Sequence, residues 1–165
     1  MKQLLILSGK GGTGKTTVAS AFIKLADAQA YADCDVDAPN LHLVTEWDKE
    51  PVRRDYYGLP VAELTPKLCT HCDRCRQSCR FGAITAGESY SVDPYGCEGC
   101  GVCAYVCPEG AIKMVPAVAG DLQLYTDEAR VFSTAQLRMG SGTSGLLVTE
   151  VKKEMKEAAS DSKLA

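Results

Sequence analysis

The sequence lacks any long apolar run and any excess of basic charge. Of its 165 residues, 18 are Lys or Arg and 21 are Asp or Glu, which gives a formal net charge of −3. Nucleic-acid-binding domains normally carry a basic patch or stripe, so this composition argues against that class. No segment approaches the roughly 18 apolar residues of a membrane helix, and the apolar run at 4–7 is too short for a signal peptide. We therefore expect a cytoplasmic protein with no nucleic-acid partner and no membrane insertion.

Cysteine, by contrast, is abundant. The chain has nine cysteines, and in a reducing cytosol a dense set of cysteines indicates metal binding rather than disulfides. Eight of them form two groups with the same spacing, C-x₂-C-x₂-C-x₃-C. The groups are Cys69, Cys72, Cys75 and Cys79, and Cys97, Cys100, Cys103 and Cys107. Only Cys34 lies outside the pattern, and such a lone cysteine is more often a small buried hydrophobic residue than a ligand.

The two cysteine groups belong to an internal repeat. Cys97 follows Cys69 by 28 positions, and both copies end in Gly-Ala-Ile. A repeat of this kind is one structural unit, so we expect it to be inserted whole between Pro66 and Pro116. The predicted domains are 1–65, the first part of a nucleotide-binding domain; 66–116, the inserted cluster module; and 117–165, an incomplete continuation of the first domain.

The cysteine spacing matches the run found in bacterial two-cluster ferredoxins, in which the fourth cysteine of each run binds the other cluster. Two 4Fe–4S clusters are therefore the expected cofactors. This resemblance implies that Cys69, Cys72 and Cys75 share one cluster with Cys107, and that Cys97, Cys100 and Cys103 share the other with Cys79. Nearby glycines would let the backbone approach the clusters, and these are Gly82, Gly99, Gly101 and Gly110.

Zinc is the rival ligand for such cysteines. C-x₂-C pairs also build tetrahedral zinc sites. Two zinc sites, however, would not need two runs of three cysteines that are each followed by a fourth after three residues. His71 lies between two of the cysteines, where it either tunes a cluster potential or is simply exposed.

A second motif lies near the N-terminus, where residues 9–16 fit G-x-x-x-x-G-K-S/T. We expect a short buried strand at 2–7 before this loop and a helix from Thr16 to about Gln29 after it. In such a motif the glycines and helix amides cradle phosphates, the lysine reaches the β- and γ-phosphates, and the hydroxyl binds Mg²⁺. The expected ATP- and Mg²⁺-binding residues are Gly9, Lys10, Gly11, Gly12, Thr13, Gly14, Lys15, Thr16 and Thr17.

The form of this loop, K-G-G-T-G-K-T, resembles that of the MinD/ParA/Mrp P-loop ATPases, and the whole chain resembles members with an inserted ferredoxin domain. The resemblance implies that Lys10 crosses a dimer interface to the partner's nucleotide, and hence an ATP-dependent homodimer. It also implies that Asp35, at the end of a second strand at 30–34, lies near Mg²⁺ and the attacking water. Asp33 and Asp37 are weaker candidates. Lys10, Lys15 and Asp35 are thus the expected catalytic residues.

The expected fold is α/β: a parallel P-loop NTPase sheet with helices on both faces, interrupted by a small α+β ferredoxin-like insert. A further strand at Leu122 to Tyr125 and a helix from Ser144 to Ala159 would continue it. The family's strand with Asp-x-Pro-Pro-Gly has no match here, since the sequence stops at Ser162 to Ala165 near where that strand should begin. The chain is therefore expected to be truncated relative to that family.

Three functions compete on this pattern. The favoured one is coupling of ATP binding or hydrolysis to electron transfer through the clusters to an unidentified redox partner protein. The alternatives are an iron–sulfur carrier or scaffold of the Mrp type, and a plain ferredoxin-like electron carrier whose nucleotide site does not hydrolyse ATP.

Overall fold

The computed structural model describes residues 3–161, which divide into two compact units. The α/β unit holds the residues up to 55, 121–137 and those from 144 onward, and the cysteine unit holds 56–120 and 138–143. The helices are α1 (Lys15–Leu25), α2 (Arg74–Ser78), α3 (Val102–Val106) and α4 (Ser144–Asp161). The strands are β1 (Ala30–Ala32), β2 (Val52–Tyr57), β3 (Val61–Leu64), β4 (Ile84–Thr85), β5 (Ser91–Val92), β6 (Ile112–Val115), β7 (Val118–Thr126) and β8 (Val131–Leu137).

The largest sheet has the strand order β1-β8-β7-β2. Strands β1 and β8 run parallel, with Tyr31 opposite Phe132. Strands β7 and β8 are joined by a tight turn in which the Asp127 N–H donates to the Arg130 carbonyl at 3.0 Å. Because so short a connection can only join antiparallel neighbours, the sheet is mixed. The expectation of an α/β protein is confirmed, whereas the expectation of a parallel NTPase sheet is wrong.

The core of the α/β unit is aromatic and lies under β8. Phe132 is fully buried and stacks on Tyr31, Trp47 and Tyr125 at ring-centroid distances of 5.0 to 6.0 Å. Helix α4 packs on β1 and β8 and buries Leu147. Such close aromatic packing adds about 0.5–1.5 kcal/mol per pair beyond the area it buries.

The segment that was predicted as a buried strand, 2–7, is not a strand over the residues that the structure describes. Residues 3–8 have no regular structure, and Leu4, Leu5 and Leu7 are 70%, 75% and 77% exposed. Lys2 lies outside the described residues. A parallel strand stays buried only where neighbouring strands and helices cover both its edges and faces, and no described strand pairs with this segment. An apolar run alone cannot supply those neighbours.

The other predicted elements of this unit form with shifted ends. Helix α1 stops at Leu25 rather than near Gln29, because Asp27 turns into the left-handed conformation with φ 48°, a usual way for helices to end. The strand at 30–34 is shorter than predicted and the one at 122–125 is longer. The predicted start of α4 at Ser144 is confirmed. The predicted truncation concerns Ser162 to Ala165, which lie outside the described residues.

Helix α4 is the longest helix, with 18 residues, and it is rich in Lys and Glu. Over residues 3–161, no helix is both long and apolar enough to span a bilayer.

The cysteine unit contains two short antiparallel pairs, β3 with β6 and β4 with β5. The pairs interlock the two halves of the repeat. Strand β3 precedes the first cysteine run and pairs with β6, which follows the second run. Strand β5 precedes the second run and pairs with β4, which follows the first. Neither half can therefore form its strand pair alone.

Candidate metal centre

The eight repeat cysteines line two separate small cavities. The first is lined by Cys69, Cys72, Cys75 and Cys107. The second is lined by Cys79, Cys97, Cys100 and Cys103. All eight are free thiols. The structure thus groups the cysteines into the same two sets that the ferredoxin resemblance implies.

The strand pairing explains why the fourth cysteine of each run lies beside the other run. Leu64 lies opposite Ile112 in the β3–β6 pair. Since Cys69 follows β3 and Cys107 precedes β6, this register brings the first run to the last cysteine of the second. Ile84 lies opposite Val92 in the β4–β5 pair and does the same for Cys79 and the second run.

Left-handed backbone positions curl each cysteine run around its cavity. They recur at the repeat offset of 28: His71 matches Gly99, Asp73 matches Gly101, and Gly82 matches Gly110, with φ between 56° and 74° in all six. The four glycines were predicted to give this freedom. His71 and Asp73 were missed as backbone positions, although their alignment with the two glycines of the second copy was the available signal. Asp tolerates this conformation better than most non-glycine residues.

Backbone amides also point at the cysteine sulfurs. The Ala62 N–H donates to Cys97 Sγ at 3.4 Å, and the Ala111 N–H donates to Cys107 Sγ at 3.3 Å. Such bonds are among the features that set the potential of an iron–sulfur cluster. Each cavity receives one of them.

Two of the cysteines are deeply buried. Burial raises the pKa of the Cys75 and Cys103 thiols above the ordinary value. Since the thiolate is the metal ligand, metal binding at these positions must release protons and becomes weaker as the pH falls.

The cysteine arrangement suits a cluster better than a single ion. Among residues 3–161, no three His, Cys, Asp or Glu side chains converge closely enough to hold one metal ion. A zinc ion requires its ligands within about 2.0–2.3 Å of one centre. A 4Fe–4S cage instead offers four separate irons, so four more widely spaced thiolates fit it. A set of four cysteines around each cavity therefore fits one 4Fe–4S cluster.

Asp73, one of the residues that line the first cavity, is the centre of a hydrogen-bond network. The carboxylate accepts hydrogen bonds from Arg76 Nε at 2.7 Å and Nη2 at 2.6 Å, from the Tyr90 hydroxyl at 2.6 Å and from Gln77 Nε2 at 3.0 Å. The bonds from Arg76 and then Tyr90 hold the pKa of Asp73 well below its usual range. His71 stacks on the Tyr90 ring at 5.6 Å and lines this cavity.

The predicted phosphate-binding residues lie in the α/β unit, where part of the set converges. Lys15 Nζ lies 3.7 Å from Asp35 Oδ2, and the Thr16 hydroxyl lies 2.5 Å from Asn40 Oδ1. Asp33 has a structural role, since its carboxylate accepts the N–H groups of Asp35, Asn40 and Leu41 at 3.0 to 3.1 Å. The backbone carbonyl of Asp37 accepts a hydrogen bond from Gln136 Nε2 at 3.3 Å.

The glycine loop before α1 is open. A Cβ placed at Gly9, Gly11, Gly12 or Gly14 would meet nothing within 4 Å. The Lys10 carbonyl accepts hydrogen bonds from Ser8 and Thr13 at 2.9 and 3.3 Å, and the Thr17 carbonyl accepts one from Ser20 at 3.0 Å. Cys34 is exposed, contrary to its expected burial.

Comparison with known proteins gives a match for the cysteine region. Residues 68–111 match the family described as 4Fe-4S dicluster domain. An uncharacterized protein of Methanocaldococcus jannaschii is 32% identical over 100 residues, which cover 59% of this chain and 34% of that protein. The pyruvate synthase subunit PorD of Methanothermobacter marburgensis is 44% identical over 51 residues, covering 31% and 60%. The dihydromethanopterin reductase (acceptor) of Methanosarcina mazei is 41% identical over 54 residues, covering 30% and 23%.

These findings correct the predicted family. The chain covers about a third of the first of these relatives, and the matched family is an iron–sulfur domain rather than a MinD/ParA/Mrp ATPase. Two of these relatives carry the names of a reductase and of a pyruvate synthase subunit. The strand that should precede the phosphate loop is also absent from residues 3–8. The resemblance to P-loop ATPases is therefore wrong as an assignment, and the similarity to known proteins is that of a 4Fe-4S dicluster domain.

Proposed function

We propose that the chain is a ferredoxin-like electron carrier that holds two 4Fe–4S clusters. The observation that carries the proposal is the sorting of eight cysteines into two cavities, each lined by four of them. The first cluster would be held by Cys69, Cys72, Cys75 and Cys107. The second would be held by Cys79, Cys97, Cys100 and Cys103. Among the predicted alternatives, the plain electron carrier thus replaces ATP-coupled redox work as the leading function.

Bound clusters would each supply reversible one-electron chemistry. The chain's own residues provide the cages, the N–H···S bonds from Ala62 and Ala111, and the burial of Cys75 and Cys103. The outermost cysteines, Cys72 and Cys100, are exposed. Exposed ligands give a short path for an electron to leave toward a docked protein, so each cluster has its own exit.

The proposed partner is a redox protein that exchanges electrons with these clusters. This proposal draws on the names of two relatives, a dihydromethanopterin reductase (acceptor) and a pyruvate synthase subunit. The proposed location is the cytoplasm, where a reducing environment keeps the eight ligand cysteines free for metal.

The test is a potentiometric titration of the full chain after anaerobic cluster reconstitution, followed by EPR. The carrier is expected to take up two electrons reversibly per chain with no loss of iron. Clusters that break down on reduction, or that take up no electrons, would contradict the proposal. Transfer of intact clusters to an apo-ferredoxin would instead support an iron–sulfur cluster carrier or scaffold, and it would overturn the electron-carrier proposal.

Binding of a magnesium nucleotide is a second candidate function, supported by one observation. Lys15 and Asp35 lie 3.7 Å apart and Thr16 is beside them at the start of α1. A lysine, a hydroxyl and a carboxylate are groups that bind phosphate and Mg²⁺. In this proposal Lys10 and the loop glycines would approach the phosphates. The ATP-dependent homodimer stays a prediction.

Calorimetric titration of the full chain with Mg-ATP tests this second function. Saturable binding that is lost in Lys15→Ala and retained in Lys24→Ala would support it. Lys24 is a matched control because it lies on the same helix, in its last turn. Absence of binding by the wild-type chain would remove the proposal and leave the electron carrier untouched.

A further inference from the structure

The two cavities differ in the residues that line them. The residues that line the first include Asp73, Glu109, His71 and Tyr90. The positions that match these four in the other copy, at the repeat offset of 28, are Gly101, Phe81, Gly99 and Ala62. Glu98 is the one carboxylate among the residues that line the second cavity. The repeat thus builds two similar cages with different electrostatic surroundings.

Asp73 is oriented by its neighbours. Arg76 holds it through two hydrogen bonds of 2.6 and 2.7 Å, and Tyr90 holds it through another of 2.6 Å. The Asp73 side chain is 21% exposed and lines the cavity, whereas Arg76 is 49% exposed and does not line it. Asp73 is therefore the less exposed member of this ion pair and the one that lines the cavity.

The repeat does not place a matching ion pair beside the second cavity. The positions that match Asp73 and Arg76 are Gly101 and Ala104, which carry no charge. The two N–H···S bonds do not cancel this difference, because each cavity has one of them at a similar distance.

We propose that Asp73, fixed by Arg76 and Tyr90, sets the reduction potential of the first cluster below that of the second. The inference rests on the proposed electron-carrier function. A fixed negative charge beside a cluster disfavours the addition of an electron. The first electron added to the chain therefore resides on the cluster held by Cys79, Cys97, Cys100 and Cys103.

The test is a potentiometric titration of the reconstituted full chain with EPR detection, on the wild type and three variants. The wild type is expected to show two separate reduction steps. Asp73→Asn should raise the lower step alone, because it removes the negative charge. Arg76→Gln should lower that same step, because it removes the positive charge and leaves the carboxylate. Glu98→Gln is the matched control and should raise the upper step alone.

The opposite signs separate electrostatics from a structural role. If Asp73 and Arg76 only held the loop in shape, both variants would move the potential in the same direction or lose the first cluster. A single common step in the wild type, or movement of the upper step in Asp73→Asn, would overturn the proposal. If Asp73→Asn does not retain the first cluster, the proposal is judged on Arg76→Gln, in which the reduction potential of that cluster should fall.

The result is distinguishable from failure of the proposed function. Two reversible steps that do not respond to Asp73 and Arg76 would leave the electron carrier intact and contradict only this inference. Absence of reversible reduction in the wild type would contradict the electron carrier itself.

Discussion

At the scale of single residues, the left-handed positions matter most for the cages. Gly99 has φ 69°, and a Cβ there would lie 2.6 Å from the Pro60 carbonyl oxygen and 2.8 Å from Leu59 Cβ. Gly101 has φ 74°, but a Cβ there would meet nothing within 4 Å. The two glycines therefore share the left-handed conformation but differ in the space around them.

Substitution of these glycines tests that difference. Gly101→Ala is expected to destabilise the holo-protein by about 1–2 kcal/mol, the usual cost of the left-handed conformation. Gly99→Ala should cost more, because the backbone of Pro60 must also move. The measurement is the urea concentration at which the visible absorbance of the clusters is lost. Equal midpoints for the two variants would contradict the close approach at Gly99.

At the scale of elements, the β3–β6 and β4–β5 pairs each support one cavity. Ile112 of β6 lines the first cavity and Ile84 of β4 lines the second, and both are buried. They occupy matching places in the repeat, 28 positions apart. A substitution at either isoleucine should therefore weaken the packing around one cavity only.

Ile112→Ala and Ile84→Ala are therefore expected to act on different clusters. Each removes buried methyl groups, at a cost of about 2–5 kcal/mol. Ile112→Ala should speed iron release to a chelator from the first cluster, and Ile84→Ala from the second. The EPR signal that remains after partial chelation identifies the surviving cluster. Loss of the same cluster in both variants would contradict the assigned cavities.

The segment at residues 3–8 differs in kind from the buried strands. Leu5 is 75% exposed, while Phe132 of β8 is 0% exposed. Phe132→Ala is expected to lower the free energy of unfolding by about 3–5 kcal/mol. Leu5→Ala should change it by less than about 0.5 kcal/mol, as at most surface positions. Chemical denaturation followed by circular dichroism measures both. A Leu5→Ala cost close to that of Phe132→Ala would mean that this segment is a buried strand.

These elements show how far the sequence could predict the structure. The grouping of Cys107 with Cys69 was predictable because the cysteine spacing resembles that of two-cluster ferredoxins, in which the fourth cysteine of each run binds the other cluster. The state of residues 3–8 was not, since burial of a strand depends on partners elsewhere in the chain. The mixed sheet was missed because the short turn at Asp127 was not identified as a hairpin. Asp73 was missed because its role depends on Tyr90, 17 positions away.

At the scale of the whole molecule, the two units have different kinds of core. The α/β unit has an aromatic core around Phe132. The core of the cysteine unit includes Cys75 and Cys103, two of the proposed cluster ligands, among its buried residues. A small unit whose core contains its metal ligands depends on the metal for folding.

Removal of iron is therefore expected to affect the units differently. Amide hydrogen exchange in 61–115 should speed up strongly after chelation, because the cages and their strand pairs lose their support. Exchange in β8 should stay slow, since the core around Phe132 is formed by Tyr31, Leu41, Trp47 and Tyr125. Hydrogen-exchange mass spectrometry of the holo- and apo-proteins measures both. Equal acceleration in β8 would contradict the independence of its core.

The most direct test of the central claim is the iron and acid-labile sulfide content of the anaerobically reconstituted chain. Two 4Fe–4S clusters predict about eight iron and about eight sulfide per chain. Replacement of Cys75 by Ser should lower both to about four, while Cys34→Ser, at the cysteine outside the repeat, should leave them at about eight. A chain that instead retains about two zinc ions and no sulfide would contradict the account.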